Sequence, residues 1–532
     1  MFVVFFKLRL VRPQQHTEDF QVNSKIRKQL KARKRRIAKR LQTPASGRQT
    51  PELQAANIHY EISERQQAIA CGGIGLIHQM VNTLGLADQI NRGVPLFKFY
   101  LPYAESDHVL NIAYNILAGG TCLEHLEYRR NDEAYLNAVG AMRIPDPTTA
   151  GDFCRRFDVG SIDRLQEVFN ETRVKVWKQQ PDEFFEEACI DGDGTMVTTT
   201  GECKQGMDIN HKNEWGYHPL MISLANTGEP LYLLNRSGNR PSHEGAAEYF
   251  DRAVKLCRDA GFRTVRLRGD TDFSQTTHLD RWDDDGVQFV FGIDAMPNLY
   301  EMAENLPQDA WKELKRPPRY EVKTKPRRRP PNVKQPIVEE REFKDIRLAA
   351  EHVAEFTYRP TACDRDYRVV VVWKSLEVHQ GQKWLFDDAK AFFYITNDRK
   401  TSAAKIVTGH ANQRCNQENL IEQHKNGVHS LKAPLDSLDS NWAYMVIASL
   451  AWSLKAWSAL LVPIAGRNKQ QREKAKRTLL RMEFPTYRQA MINIPAQIIC
   501  SGRRLIYRLL SWNPWQDVFF SLWNRLRQPL RC

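Results

Sequence analysis

Three short segments of this 532-residue chain put carboxylates where they could do chemistry. The first is Ile190-Asp-Gly-Asp-Gly-Thr195. On a strand, Asp191 and Asp193 lie two apart and share a face. Two acids on one face need a cation or a polar network; the plain alternative is a turn rich in Asp and Gly. The second is Leu267-Arg-Gly-Asp-Thr-Asp-Phe273. Asp270 falls at the carboxyl end of a predicted strand, where open α/β sheets place their sites. Asp272 competes with it, or belongs to the N-cap region of the next helix. The third runs from Asn412 to Asn426, where Arg414, Glu418, Ile421 and Lys425 recur at helical spacings and share a face. An exposed salt-bridge stripe that includes Glu422 is the alternative there.

Three carboxylates from separate elements make a hard, oxygen-only ligand set that suits Mg²⁺ or Mn²⁺. Two such ions roughly 3.5–4 Å apart stabilise both the attacking and the leaving oxygen of an in-line phosphoryl displacement. The rest of the chain points to a polyanion. Lys plus Arg number 77 against 63 Asp plus Glu, a net charge of +14. A basic chain with such a site is expected to act on DNA phosphodiesters, as a nuclease, a phosphotransferase or both.

Other classes drop out. The 10 cysteines include no CxxC, so zinc-ribbon and thioredoxin-like motifs are excluded, and their sparse spacing suits a reducing cytoplasm. The apolar start Met1–Phe6 is broken by Lys7 and Arg9 and is not read as a signal peptide. The stretch Trp442–Ala465 is interrupted by Lys455 and several serines, and is expected to be a buried helix pair rather than a membrane span. No membrane partner is expected. Gly72-Gly73-Ile-Gly75 lacks the spacing of a dinucleotide fingerprint, and His243-Glu244 lacks the second histidine of a metalloprotease helix.

The elements that must position the carboxylates follow from the pattern. Residues 24–41 hold ten Lys/Arg and no acid, with a thin stripe of Ile26, Leu30, Ile37 and Leu41. They read either as an arm on phosphate backbone or as a solvated tail. Residues 43–56 read as a linker. From about 65 to 180 the pattern is helical, with helix starts expected at Asp107, Thr121 (a capping box with Glu124), Thr148 or Thr149, and Ser161. This region is expected to bind DNA, or else to be a plain bundle. The period then changes. Strands are expected at Ala188–Thr195, Tyr217–Ala225, Pro230–Asn235, Thr264–Gly269 and Val287–Ile293. Helices are expected from a Ser242 cap to Gly261 and over 275–285. That β-β-β-α-β-α-β order is characteristic of the RNase H-like fold, in which acids end the first and fourth strands. Residues 294–400 interrupt it with a basic, proline-rich loop, Lys315 to Lys334, and strand-like segments Tyr367–Trp373, Lys383–Phe386 and Ala391–Thr396. A helix from Asn412 to Val428 resumes the core, and the tail 440–532 is expected to be helical, with basic stretches at 467–481 and 503–508.

The fold class is therefore α/β: an RNase H-like catalytic core with a β-rich insertion, plus helical N-terminal and C-terminal regions. The expected division is 1–60 basic arm and linker, 61–185 helical and DNA-binding, 186–295 first part of the core, 296–400 insertion, 401–460 second part of the core with the glutamate helix, and 461–532 helical and basic.

The motifs together resemble the DDE transposases of bacterial insertion sequences, most closely the insertion-sequence 1380 family, over about residues 65–460. The resemblance rests on Asp191-Gly-Asp-Gly-Thr195, Gly216-Tyr-His-Pro-Leu220, Gly238-Asn239, Arg268-Gly-Asp-Thr-Asp-Phe273 and Arg414-Cys-Asn-Gln-Glu-Asn419. The wider group has a signature of Tyr, Arg, Glu and Lys. Arg414, Glu418 and Lys425 fit its spacing, and Ala411 stands where its Tyr would be. The likeness implies a catalytic and metal-holding triad of Asp193, Asp270 and Glu418, with Asp191 and Asp272 as the alternatives. It implies Arg414, Lys425 and Arg268 on DNA phosphates, and Mg²⁺ (or Mn²⁺) as a pair of ions. It implies cut-and-paste transposition by a homodimer on double-stranded terminal inverted repeats and target DNA, in a bacterial cytoplasm at the nucleoid. A metal-dependent nuclease of the same fold that does not join strands, and an inactive DNA-binding relative, are the alternatives.

Overall fold

The computed structural model describes residues 23–42, 55, 57–63, 65–97, 102–316, 331–380, 383–464, 469–502 and 504–530. Residues 1–22, the linker from 43 to 54 and the proline-rich run 317–330 lie outside the described residues.

The acid-bearing strand forms as its pattern dictates. Strand β1 (Glu187–Gly194) is an inner strand, third from one edge of a nine-stranded mixed sheet, between β2 (Leu220–Leu224) and β4 (Thr264–Gly269). It pairs antiparallel with β2, which pairs antiparallel with β3 (Glu229–Leu234); it pairs parallel with β4, which pairs parallel with β5 (Gln288–Ile293). The spatial order β3-β2-β1-β4-β5 follows. The expected strand Tyr217–Ala225 divides at Pro219, which has no N–H to give a ladder. Trp215–Tyr217 instead joins a small separate sheet with Val197–Thr198 and Asp208–Ile209.

The insertion does not stand apart. Its strands β6 (Lys344–Tyr358), β7 (Tyr367–Gln380) and β8 (Lys383–Thr396) form an antiparallel meander, and β8 pairs with β5, so the insertion extends the central sheet. The two segments expected at Lys383–Phe386 and Ala391–Thr396 are parts of the single strand β8.

Several helix starts differ from the local signals. Helix α1 is Ser24–Gln42, in keeping with the helical spacing of Ile26, Leu30, Ile37 and Leu41. Helix α2 begins at Glu105, with Asp107 inside its first turn closing back on Ala104 N–H. Thr121 is not the cap; a short 3₁₀ turn at Leu123–His125 leads into a short helix, Leu126–Arg130. Asp146, not Thr148 or Thr149, caps the helix Pro147–Cys154, and Asp158 caps α3 (Val159–Trp177), with Ser161 completing its capping box. Helix α4 (Ala246–Ala260) starts three residues beyond the expected Ser242 cap region, with Gly245 at φ 76° as its N-cap. Buried Arg236 explains the delay. Its Nη1 takes the carbonyls of Pro241 and Ser242 at 3.0 Å and of Glu244 at 2.6 Å, which keeps that stretch out of a helix. Helix α4 packs closely on β1, where a Cβ on Gly192 would come within 2.5 Å of the Phe250 ring.

The expected helix at 412–428 forms, but with uneven turns. A π segment Ile406–Ala411 and a 3₁₀ turn Asn412–Arg414 lead into α5 (Cys415–Glu422), and a second π segment follows at Gln423–Gly427. The apolar stretch expected as a helix pair is one helix, α6 (Leu438–Leu460). It is long and apolar enough to cross a membrane by composition, yet its whole apolar window is packed inside the protein, against α2, α3 and β3. The C-terminal region is not all helix: after α7 (Lys469–Arg481), the hairpin β9 (Ala496–Ser501) and β10 (Arg504–Leu509) forms, and its β10 carries the basic stretch at 503–508. Among the described residues the larger of two hydrophobic clusters runs from Ile69 to Leu526, so the helices before and after the sheet share its interior.

Candidate active site

The carboxyl ends of β1 and β4 lie side by side because the two strands pair in parallel. Asp193 is the second-last residue of β1, and Asp270 is the first residue after β4. Glu418 comes from α5, whose neighbour Gln417 is buried and seats the helix on β2. Its Nε2 donates to the Met221 carbonyl at 3.0 Å, and its Oε1 accepts from the Ser223 hydroxyl. No sequence motif marked Gln417; the available signal was an amide directly before the candidate glutamate.

A single guanidinium gathers the three acids. Arg414 Nη1 lies 3.7 Å from Asp193 Oδ2 and 3.8 Å from Asp270 Oδ2, and Nη2 donates to Glu418 Oε1 at 3.3 Å. Asp193 is mostly covered, and Glu418 is the most open of the three. Burial, and then the neighbouring Asp270, push the Asp193 carboxyl up to about 7. Burial also raises Asp270, against the pull of Arg414. Three acids and one cation leave negative charge in excess, and their hard oxygens fit Mg²⁺ or Mn²⁺. Among the described residues no three acidic, histidine or cysteine side chains stand close enough to chelate one ion as placed; the Arg414 guanidinium lies between them.

The alternatives at each position separate. Asp191 is 1% exposed and accepts both arms of Arg268, Nε at 2.6 Å and Nη2 at 2.8 Å. Arg268 is equally buried, with Nη1 on the His410 carbonyl at 3.3 Å. The expected phosphate contact at Arg268 is therefore corrected: this arginine closes a bidentate pair inside the sheet and presents nothing to DNA. Asp191 is likewise committed to it and is not offered to a metal. Asp272 is exposed, and its backbone N–H donates to Asp270 Oδ1 at 3.1 Å, so it braces Asp270 from the next turn. Lys425 lies half-buried in the π segment after α5; burial lowers its ammonium, against the charges of Glu422, Glu214 and Asp193. Ile421 faces the core rather than the Glu418 surface.

Among solved structures, the chain is similar to the piggyBac transposase in a synaptic complex with hairpin DNA, at 11% identity over 79% of this chain and 81% of that one, with a TM-score of 0.34. That distance is too great for anything to be carried from it to this chain. No curated protein matches. The family model of the transposase DDE domain, group 1, matches residues 64–530, which include all three carboxylates and the strands and helix that hold them. By that match the chain belongs to the transposase DDE domain family, group 1.

Proposed function

We propose that this chain is the cut-and-paste transposase of a bacterial insertion sequence of the 1380 kind, acting as a homodimer on the terminal inverted repeats of its own element, in the cytoplasm at the nucleoid. The observation that carries the reading is the one guanidinium within 3.8 Å of three carboxylates drawn from β1, the end of β4 and α5. The order β3-β2-β1-β4-β5, antiparallel only at β2, supports an RNase H-like core. Asp193, Asp270 and Glu418 hold Mg²⁺ or Mn²⁺ in this reading. A pair of such ions held there would supply activation of an attacking hydroxyl and stabilisation of a leaving oxygen. Arg414 and Lys425 then turn to phosphate, positioning the scissile strand. The helices of 61–185 hold DNA beside the core.

Strand transfer tests the reading. Duplexes taken from the two flanks of the coding sequence, pre-cleaved to expose 3′-hydroxyls, are incubated with a target plasmid and Mg²⁺. Joined products are expected. Cleavage of intact ends with no joining would make the chain a nuclease of this fold instead, and neither activity would leave a DNA-binding protein.

The basic helix makes a separate prediction. Helix α1 carries ten Lys/Arg and no acid, and buries no residue. Arg33 Nη1 anchors it to the Leu509 and Ser511 carbonyls at 3.0 and 3.1 Å, beside the basic strand β10. Each phosphate neutralised on duplex DNA contributes about 0.9 to the slope of log affinity against log salt. Deleting residues 1–42 is expected to flatten that slope in fluorescence anisotropy titrations between low and moderate salt. An unchanged slope would make the arm a bystander.

A further inference from the structure

Glu418 is the least anchored of the three acids. Its side chain is 59% exposed, and α5 is flanked by a 3₁₀ turn on one side and a π segment on the other. Short 3₁₀ and π stretches of this kind often mark hinges and functional sites. What ties α5 to the sheet beside Glu418 is the carboxamide of Gln417, which is 1% exposed. A carbonyl can only accept, so the contact with Met221 O requires the amide nitrogen there; the amide oxygen is thereby turned to the Ser223 hydroxyl. The sheet register gives this arrangement its meaning. Met221 lies directly opposite Asp193, and Ser223 directly opposite Asp191. One buried side chain therefore links the residue before the third acid to the strand position facing the first.

We propose that Gln417 is a positioning residue that sets the spacing of Glu418 from Asp193, and so the affinity of the acidic site for its divalent cation. The inference rests on the triad reading above. Groups that orient ligands from behind typically change metal affinity by about 10–100-fold when removed. A methionine fills the same volume but neither donates to Met221 nor accepts from Ser223, so the linkage is lost while the packing is largely kept.

The test is Mn²⁺ binding to the full chain without DNA, followed by the electron paramagnetic resonance signal of free Mn²⁺. It is repeated as the Mn²⁺ concentration giving half-maximal nicking of supercoiled plasmid. Gln417→Met is expected to weaken both by about tenfold, with circular dichroism and duplex binding retained. Ser223→Ala, which removes only one of the two hydrogen bonds, is expected to weaken both by about threefold, less than the loss of the whole linkage. Wild-type Mn²⁺ titrations for Gln417→Met overturn the proposal, even if its melting temperature falls, because a purely structural amide would lower stability without touching the ion. If Gln417→Met does not fold, Ser223→Ala decides by the same criterion. Glu418→Gln serves as the control: wild-type Mn²⁺ binding by that variant would mean the triad reading has failed, rather than the linkage.

Discussion

The Asp193→Asn, Asp270→Asn and Glu418→Gln variants are each expected to lose DNA cleavage by roughly 10³-fold or more, because in the proposed reading each removes one oxygen ligand from the metal-holding site. Duplex affinity is expected to stay within about threefold of wild type, since phosphate contacts from Lys and Arg dominate it. The three substitutions are nearly isosteric, so the carboxyl ends of β1 and β4 should keep their places. Asp193→Asn in particular removes an acid that burial, and then Asp270, already raise to about 7, and no fold defect should follow. Single-turnover cleavage in Mg²⁺ and circular dichroism on the same preparations check the outcome. Full cleavage by Asp270→Asn, with loss in Asp272→Asn, would move the second ligand to the exposed turn. Asp191→Asn offers the complementary contrast. Its carboxylate is spent on Arg268 inside the sheet, so it should damage stability before chemistry.

The largest stability effect is expected at Glu229. This fully buried carboxylate opens β3 and joins three parts of the chain. Oε1 accepts from Arg173 Nε of α3 at 3.1 Å and from Trp457 Nε1 of α6 at 2.9 Å; Oε2 accepts from Trp177 Nε1 of α3 at 3.0 Å. Arg173 in turn donates to the Pro230 carbonyl at 2.7 Å and to Ser453 Oγ at 3.3 Å. Truncating one member leaves a buried guanidinium without its counter-ion and two indole donors unpaired. Glu229→Ala is therefore expected to cost about 3–5 kcal/mol, the range for a broken buried ion pair, measured by urea unfolding. Replacing both charges, as Glu229→Leu with Arg173→Met, should recover part of that loss, because the desolvation penalty disappears with the pair. A loss below about 1 kcal/mol for Glu229→Ala would mean that water reaches the guanidinium and the network is not closed.

The sequence by itself determined the parts of this protein that local chemistry controls. The apolar start of Ala188–Thr195, the alternation of Val265 and Leu267 with Arg266 and Arg268, and the apolar run at Val287–Ile293 mark strands that form where they are expected, within a residue or two. The apolar face of 246–260 and the Gly261 stop mark α4. Local signals failed where a distant group competed for the same backbone. The carbonyls near Ser242 go to Arg236, and α4 starts late. The strand β6, rich in alanine and charge, carries no clear alternation and is a strand because β7 pairs along its length. The acids show the same division most sharply. Period-two alternation places Asp191 and Asp193 on one face and cannot choose between them. The register with β4 does: Asp191 falls opposite Arg268, one step inside the sheet and covered, whereas Asp193 falls at the end, beside Asp270. Arg268 follows the same rule and lies inward, although the family resemblance implies a phosphate contact for it. Which strand lies beside which, and how far each residue stands from the sheet's edge, is a long-range property. That distance decides whether a charged side chain is buried with a partner or left at the rim for a metal or a phosphate.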